Sequence, residues 1–326
     1  LGILGIEFFA KTAILPSNQT PLGALSARFR RQRLLIVGCG DVGQRVARLA
    51  PAPLRVMALT SSPENCAVLR GQDILPLRGN LDDAKSLRRL AGLATRMVHL
   101  APPPSDGWTD PRTLALLRSL DRRAWPRSWV YGSTSGVYGD CQGAWVHESQ
   151  PVTPFTPRAY RRVDAEKRLR WHGKGTGVRQ GVRASILRIP GIYALDRDGG
   201  TPEARLRKGT PVLQASDDVY TNHIHADDLA RACWLALWRG KPQRAYHVSD
   251  DSQLKMGDYF DLAADLFGLP RPPRVPRDNA QNQLPLMLLS FMSESRRLDN
   301  TRMKQELGLR LRYPTVHTGL QAGEPA

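Results

Sequence analysis

Residues 34–50 read LLIVGCGDVGQRVARLA, and this stretch decides the fold. An apolar run, Leu34–Val37, leads into G-x-G-x-x-G at Gly38, Gly40 and Gly43, and an amphipathic helical segment follows directly. Strand, glycine turn and helix in that order form a cradle for a dinucleotide. Gly38 permits the tight turn, Gly40 lets the backbone approach a pyrophosphate, and Gly43 lets the helix pack close to the strand. Amides at the helix start, from Asp41 and Val42 onward, then face the anion. A lone glycine triplet is weak evidence, since a ligand-free turn has the same composition. Its weight comes from standing first in an alternating strand–helix array.

That array runs from Arg33. LLIVG, LRVMALT, DILPL, RMVHLA, SWVYGS and ASILRI alternate with amphipathic stretches, the pattern of a parallel sheet wound with helices on both faces. The expected architecture is α/β: a Rossmann-type doubly wound parallel sheet over residues 33–189, with the ligand at the carboxyl strand ends. Residues 190–326 are expected to form a small substrate cap interleaved with the last sheet elements. They include the amphipathic DDLARACWLALWRG and the late strand AYHVSD. The cleft between sheet and cap is the default substrate site. Residues 1–32, which begin with Leu and end in a basic run, are expected to be a disordered extension, either a plain tail or a targeting arm.

Composition excludes several function classes. The net charge of +17 raises the question of nucleic acid, but the basic residues are scattered from Arg28 to Arg312 with no aromatic-basic signature, so no specific nucleic-acid partner is expected. Cys39, Cys66, Cys141 and Cys233 lie far apart, which suggests neither a zinc site nor a disulfide framework and fits a reducing, cytoplasmic location. No apolar run approaches the roughly 18 residues of a membrane span, so no membrane partner is expected. His223, His225, Asp227 and Asp228 in NHIHADDLA resemble metal ligands. The simpler reading is a helix start with an Asp capping the first turn and no metal.

At the end of the second strand an acid would bind the ribose 2′-hydroxyl of NAD. This chain has Thr60, Ser61 and Ser62 there, which offer hydroxyls without a charge that repels a 2′-phosphate. NADP(H) is therefore preferred over NAD(H), although no Arg occupies the same turn. Trp234, Leu237 and Trp238 follow helical spacing and read as core or a dimer face.

RGNLDD, HLAPPP, YGSTSGVYGD, LRIPGIY and HIHADDLARA follow successive strands, and with the glycine turn they resemble the extended short-chain dehydrogenase/reductases, the NAD-dependent epimerase/dehydratase family, from about Leu34 to Leu320. HLAPPP, CQGAWVHES and the segment ESRRLDNTRMKQELGLRLRYPTVHTGL resemble an atypical YeeZ-like subgroup. The resemblance implies that Asn80 and Leu81 flank the adenine and that Leu100 and Ala101, with Pro102 behind them, lie beside the ribose. It also implies that Ser133, Thr134 and Pro190 approach the nicotinamide. Thr134 matches the family's catalytic Ser/Thr, and Tyr138 is an aromatic near it that either takes part in catalysis or packs under the nicotinamide loop.

The family's S-P-Y-G-x-S-K aligns with TPRAYRR, which puts Arg158 where Tyr belongs and Arg162 where Lys belongs. An arginine is no acid near neutral pH, but two on one helical face can hold an anionic substrate or the cofactor phosphate. Tyr160 is a poor substitute acid because Asp164 follows at i+4. Glu148 reads as a solvated loop residue or a substrate-site carboxylate, and His99 as buried or ribose-facing. Residues 109–123 and 155–172 mark helices through which such proteins pair, so a homodimer is implied. The expected activity is a nicotinamide-dependent oxidoreductase or epimerase-like reaction on a small carbonyl or alcohol. Thr134, Arg158 and Arg162 would supply geometry and electrostatics, and water or another group the proton. The alternative is a dinucleotide-binding redox sensor or regulatory protein without turnover.

Overall fold

Leu34 and Ile36 turn to one side of the first strand and Leu35 and Val37 to the other, and all four are sealed from solvent. A strand apolar on both faces needs helices on both faces. The computed structural model describes residues 32–175, 181–284 and 286–321. Apart from Gln32, the expected N-terminal extension lies outside the described residues.

The chain runs β1 (Arg33–Val37), α1 (Asp41–Arg48), β2 (Arg55–Thr60), α2 (Asn65–Arg70), β3 (Leu75–Arg78), β4 (Arg96–His99), α3 (Pro111–Leu120) and β5 (Ser128–Thr134). It continues through α4 (Pro157–Lys174), β6 (Arg183–Ile189), α5 (Ala226–Arg239) and β7 (Arg244–His247). The strands form one seven-stranded sheet in the order β7-β6-β5-β4-β1-β2-β3, every pair parallel. The order reverses between β1 and β4, so the crevice for a ligand opens at the carboxyl end of β1, where the glycine turn stands. The seventh strand is the AYHVSD segment. The Rossmann sheet therefore extends beyond residue 189 and takes its last strand and α5 from the cap half.

One face of the sheet is covered by α1 and α5 through Val46, Leu229, Cys233 and Leu237, the other by α3 and α4 through Leu116, Leu117 and Leu169. The Trp–Leu–Trp stripe splits: Leu237 enters the core, while half-exposed Trp238 lies under the Arg96 guanidinium at 3.5 Å. The cap has a core of its own around Tyr193, Leu206, Phe260 and Val316. Among the described residues no helix is long and apolar enough to cross a membrane.

Candidate functional site

The glycine turn has two kinds of glycine. Gly38 has φ +87°, and a Cβ there would lie 2.3 Å from the Ala101 amide nitrogen. Leu100 and Ala101 both donate their amides to the Val37 carbonyl, at 2.7 and 3.0 Å, which presses the end of β4 onto the turn. Gly43 is closed in the same way, its would-be Cβ 2.9 Å from the Gly38 carbonyl. Gly40 differs: nothing lies within 4 Å of the position its Cβ would take. Its missing side chain leaves room for something outside the protein. No side chain caps α1, so the amides of its first turn are left for an external acceptor. An anion on uncapped helical amides beside empty space fits a dinucleotide diphosphate.

Gly38, Gly40, Thr60, Ser61, Asn80, Leu81 and Ala101 line one cleft of about 490 Å³ with Cys39, Leu69 and Arg112. Its size and mixed polar and apolar lining suit the adenosine half of the cofactor. Ser62 stands just outside, its hydroxyl turned to the Glu64 carboxylate. Pro102 contributes its carbonyl to Arg112 at 3.2 Å, and Arg112 makes a fork onto Asp82 at 2.7 Å. Strand order adds a residue that the linear reading missed: β2 and β3 pair with Thr60 opposite Arg78, whose charge reaches Glu64 in the turn after β2. The turn after β2 carries no arginine, and this one comes from the next strand.

The other end lies at the carboxyl termini of β5 and β6, where Thr134 pairs with Ile189 and Pro190 follows. Thr134 accepts the Gly136 amide at 3.2 Å, and its own hydroxyl hydrogen has no acceptor among the described residues. α4 starts beside it because Thr156 caps the helix, accepting the Ala159 amide at 3.3 Å, and Pro157 fixes its first residue. Arg158, Arg161 and Arg162 therefore crowd the positive end of a helix, against the macrodipole. Arg162 donates to the Gly132 carbonyl at 2.7 Å, and Arg161 to the Gly107 carbonyl at 2.6 Å. Burial lowers the Arg158 guanidinium from its ordinary value; Glu294 opposes this, and the neighbouring arginines 162, 296 and 161 add to it.

Glu294 and Arg296 were not candidates. They come from the far end of the chain, both nearly buried, with Arg296 Nη1 2.9 Å from Glu294 Oε2 and 2.7 Å from the Gly139 carbonyl. The point a Gly136 Cβ would occupy is 3.7 Å from Glu294 Oε2 and 3.6 Å from Thr134 Oγ1, so carboxylate and hydroxyl face one small space. No spacing rule links residue 294 to residue 134.

Two expected site residues point elsewhere. Tyr138 is fully buried, its oxygen accepting from Arg188 and its hydroxyl bonded to His247 Nε2 at 2.6 Å, while burial pushes it up to about 12. His247 Nδ1 faces the Asp299 carbonyl at 2.9 Å and so carries that ring's hydrogen, which leaves Nε2 to accept the tyrosine proton. Tyr138 thus turns its hydroxyl into the interior, bonded to Arg188 and His247. Ser133 likewise turns its hydroxyl inward, to Glu166 Oε1 at 2.6 Å, away from the cleft. Glu166 in turn takes a fork from Arg188, at 2.7 and 3.2 Å.

The remaining candidates are plainly placed. Glu148 is not solvated: it is buried, accepts the His247 amide at 3.0 Å and is raised by burial. His99 is buried against Thr113 at 3.0 Å, pushed down to about 4 by burial. Tyr160 is exposed and rests edge-on against Trp108. In the HIHADD run the cap is His225, which accepts the Asp227 amide at 3.2 Å; Asp228 instead binds the amides of Arg312 and Tyr313, and Asp227 pairs with Arg45.

A UDP-glucose 4-epimerase from Thermotoga maritima, solved with UDP-glucose, has a TM-score of 0.72 at 18% identity, covering 89% of this chain and 96% of that one. A conserved protein of unknown function from Silicibacter pomeroyi DSS has the same TM-score at 31% identity, covering 89% and 97%. A dTDP-glucose 4,6-dehydratase from Streptomyces venezuelae, solved with NAD bound, has a TM-score of 0.68 at 22% identity, covering 89% and 95%. The GDP-6-deoxy-D-mannose reductase of Pseudomonas aeruginosa is 25% identical over 260 residues, 72% of this chain and 80% of that protein. Residues 34–249, from the first strand through the seventh, match the family model, and the chain belongs to the NAD dependent epimerase/dehydratase family.

Proposed function

We propose that this chain is an oxidoreductase that prefers NADP(H) over NAD(H) and acts on a small carbonyl or alcohol bearing an anionic group. The observation that carries the reading is the shared space between Thr134 and Glu294, ringed by Arg158, Arg162 and Arg296. The bound dinucleotide would give or take the hydride. Thr134 has a hydrogen to donate and holds the substrate oxygen. Arg158 and Arg162, in the places where the resemblance puts Tyr and Lys, bind charge instead of moving a proton. Glu294 takes the alcohol proton in oxidation and returns it in reduction, and Arg296 holds its carboxylate in position. The 294–297 segment is part of the sequence that carries the YeeZ-like resemblance, and we place the chain in that subgroup on that likeness.

Thr60, Ser61 and Ser62, together with Arg78 across the sheet, support the NADP(H) preference. Phe155, Trp108, Tyr160 and Trp171 are exposed along α4 and the loop before α3, which supports a homodimer through that face, checked by light scattering.

The test is nicotinamide absorbance with NADPH and NADH against aldehydes, ketones, keto acids and nucleotide sugars. Glu294→Gln should lower kcat at least about a hundredfold while dinucleotide affinity holds. Micromolar dinucleotide binding with no turnover on any acidic or neutral carbonyl would favour the sensor reading.

A further inference from the structure

Asp41, next to Gly40, anchors an ion-pair network whose other members lie outside the expected site. Asp41, first residue of α1, receives Arg45 Nε on one oxygen at 3.0 Å and Arg197 Nη1 on the other at 2.9 Å. Arg45 is buried and fully committed: its two other nitrogens reach Asp227 at 2.5 Å and Asp196 at 2.6 Å. It therefore ties the start of α5 and the turn after residue 193 to the helix that begins at the glycine loop.

Arg197 is the next residue along that turn, and its situation is different. Its side chain is 28% exposed, and apart from Asp41 its guanidinium has no partner among the described residues. The turn that carries it is tightly closed. The Gly200 amide donates to the Arg197 carbonyl at 2.9 Å, and a Cβ on Gly200 would lie 2.4 Å from the Ala194 carbonyl. A rigid turn, pinned by Arg45, thus holds a partly free guanidinium over the residue that adjoins Gly40. A diphosphate resting on the first amides of α1 would meet the Asp41 carboxylate, whose charge repels it. A second cation at that spot offsets the repulsion and offers several N–H donors in a fork suited to phosphate oxygens.

We propose that Arg197 is a diphosphate-binding residue, supplied by the Ala194–Gly200 turn to complete the cradle over Gly40. The inference rests on the dinucleotide reading of the glycine cleft. It makes cofactor retention depend on the cap half of the chain, through a residue that lies outside the glycine motif.

The test titrates NADPH, NADH and ADP into the full-length chain and into Arg197→Ala, Arg197→Lys and Arg207→Ala. Arg207 is an exposed arginine ten residues on, paired with Glu203 at 2.7 Å, and its variant removes the same charge. Arg197→Ala should weaken all three ligands about ten- to a hundredfold and speed NADPH release, with an unliganded melting temperature close to wild type. Arg197→Lys should recover part of the loss, and Arg207→Ala should bind as wild type. Unchanged NADPH and ADP affinity in Arg197→Ala overturns the proposal and leaves the cofactor reading standing. A wild-type chain that binds none of the three ligands overturns both.

Discussion

The glycine turn after β1 is built from backbone and empty space, whereas the region around Thr134 is built from long charged side chains. At the first, the protein withholds atoms so that a ligand's charge can reach helical amides. At the second, it brings guanidiniums and carboxylates together over a buried lattice formed by Glu166, Arg188, Tyr138 and His247. The two regions thus rest on different supports, so under the proposed function binding and chemistry should be separable by mutation.

The largest effect tests that separation from below. Glu166 and Arg188 are each 3% exposed, and removing one member leaves a buried charge without its partner. Glu166→Ala should lower unfolding free energy by about 3–5 kcal/mol in a denaturant titration, while the folded fraction binds dinucleotide as before. Loss of dinucleotide affinity in proportion to stability would show that the two ends are one cooperative unit.

A comparison inside the turn comes next. Gly40→Val adds atoms where the protein has none, so the melting temperature should stay near wild type while dinucleotide affinity falls about a hundredfold, or about 2.7 kcal/mol. Gly38→Ala, by contrast, forces a Cβ against the Ala101 backbone at a positive φ and should destabilise the fold as well. Gly40→Val binding dinucleotide at wild-type affinity would mean that the space belongs to something else. The two variants read by calorimetry and fluorescence separate room kept for the chain from room kept for a ligand.

Legibility in the sequence follows the same division. The glycine turn, the alternating strands and the cleft residues from Gly38 to Ala101 were readable because their partners lie close in sequence or follow from a parallel sheet's fixed strand order. That Arg158 and Arg162 share one face of α4 was readable because the helix has one period. The carboxylate facing Thr134 was not, since Glu294 reaches it from 160 residues away through a C-terminal segment with no periodic pattern. The surroundings of Tyr138 were not legible for a related reason: a VYG turn shows an aromatic near the site but not which side of the strand end it faces. Only the partners from β6 and β7, Arg188 and His247, draw its hydroxyl inward.

The smallest effect concerns which dinucleotide the backbone-built end selects. The register of β2 and β3 sets Arg78 opposite Thr60, and its nearby counter-charge is Glu64, a fully exposed carboxylate held low chiefly by the Ser62 hydroxyl. A 2′-phosphate arriving there would compete with Glu64 for the same guanidinium, so the preference for NADP(H) should be modest. Arg78→Ala should weaken NADPH about tenfold and leave NADH unchanged, and Glu64→Gln should strengthen NADPH a few-fold by removing the competitor. Equal losses for NADPH and NADH in Arg78→Ala would assign this arginine to holding the β3 loop. Selectivity would then rest on Thr60, Ser61 and Ser62 alone, whose lack of charge admits a 2′-phosphate without pairing with it, and the NADP(H) preference should shrink.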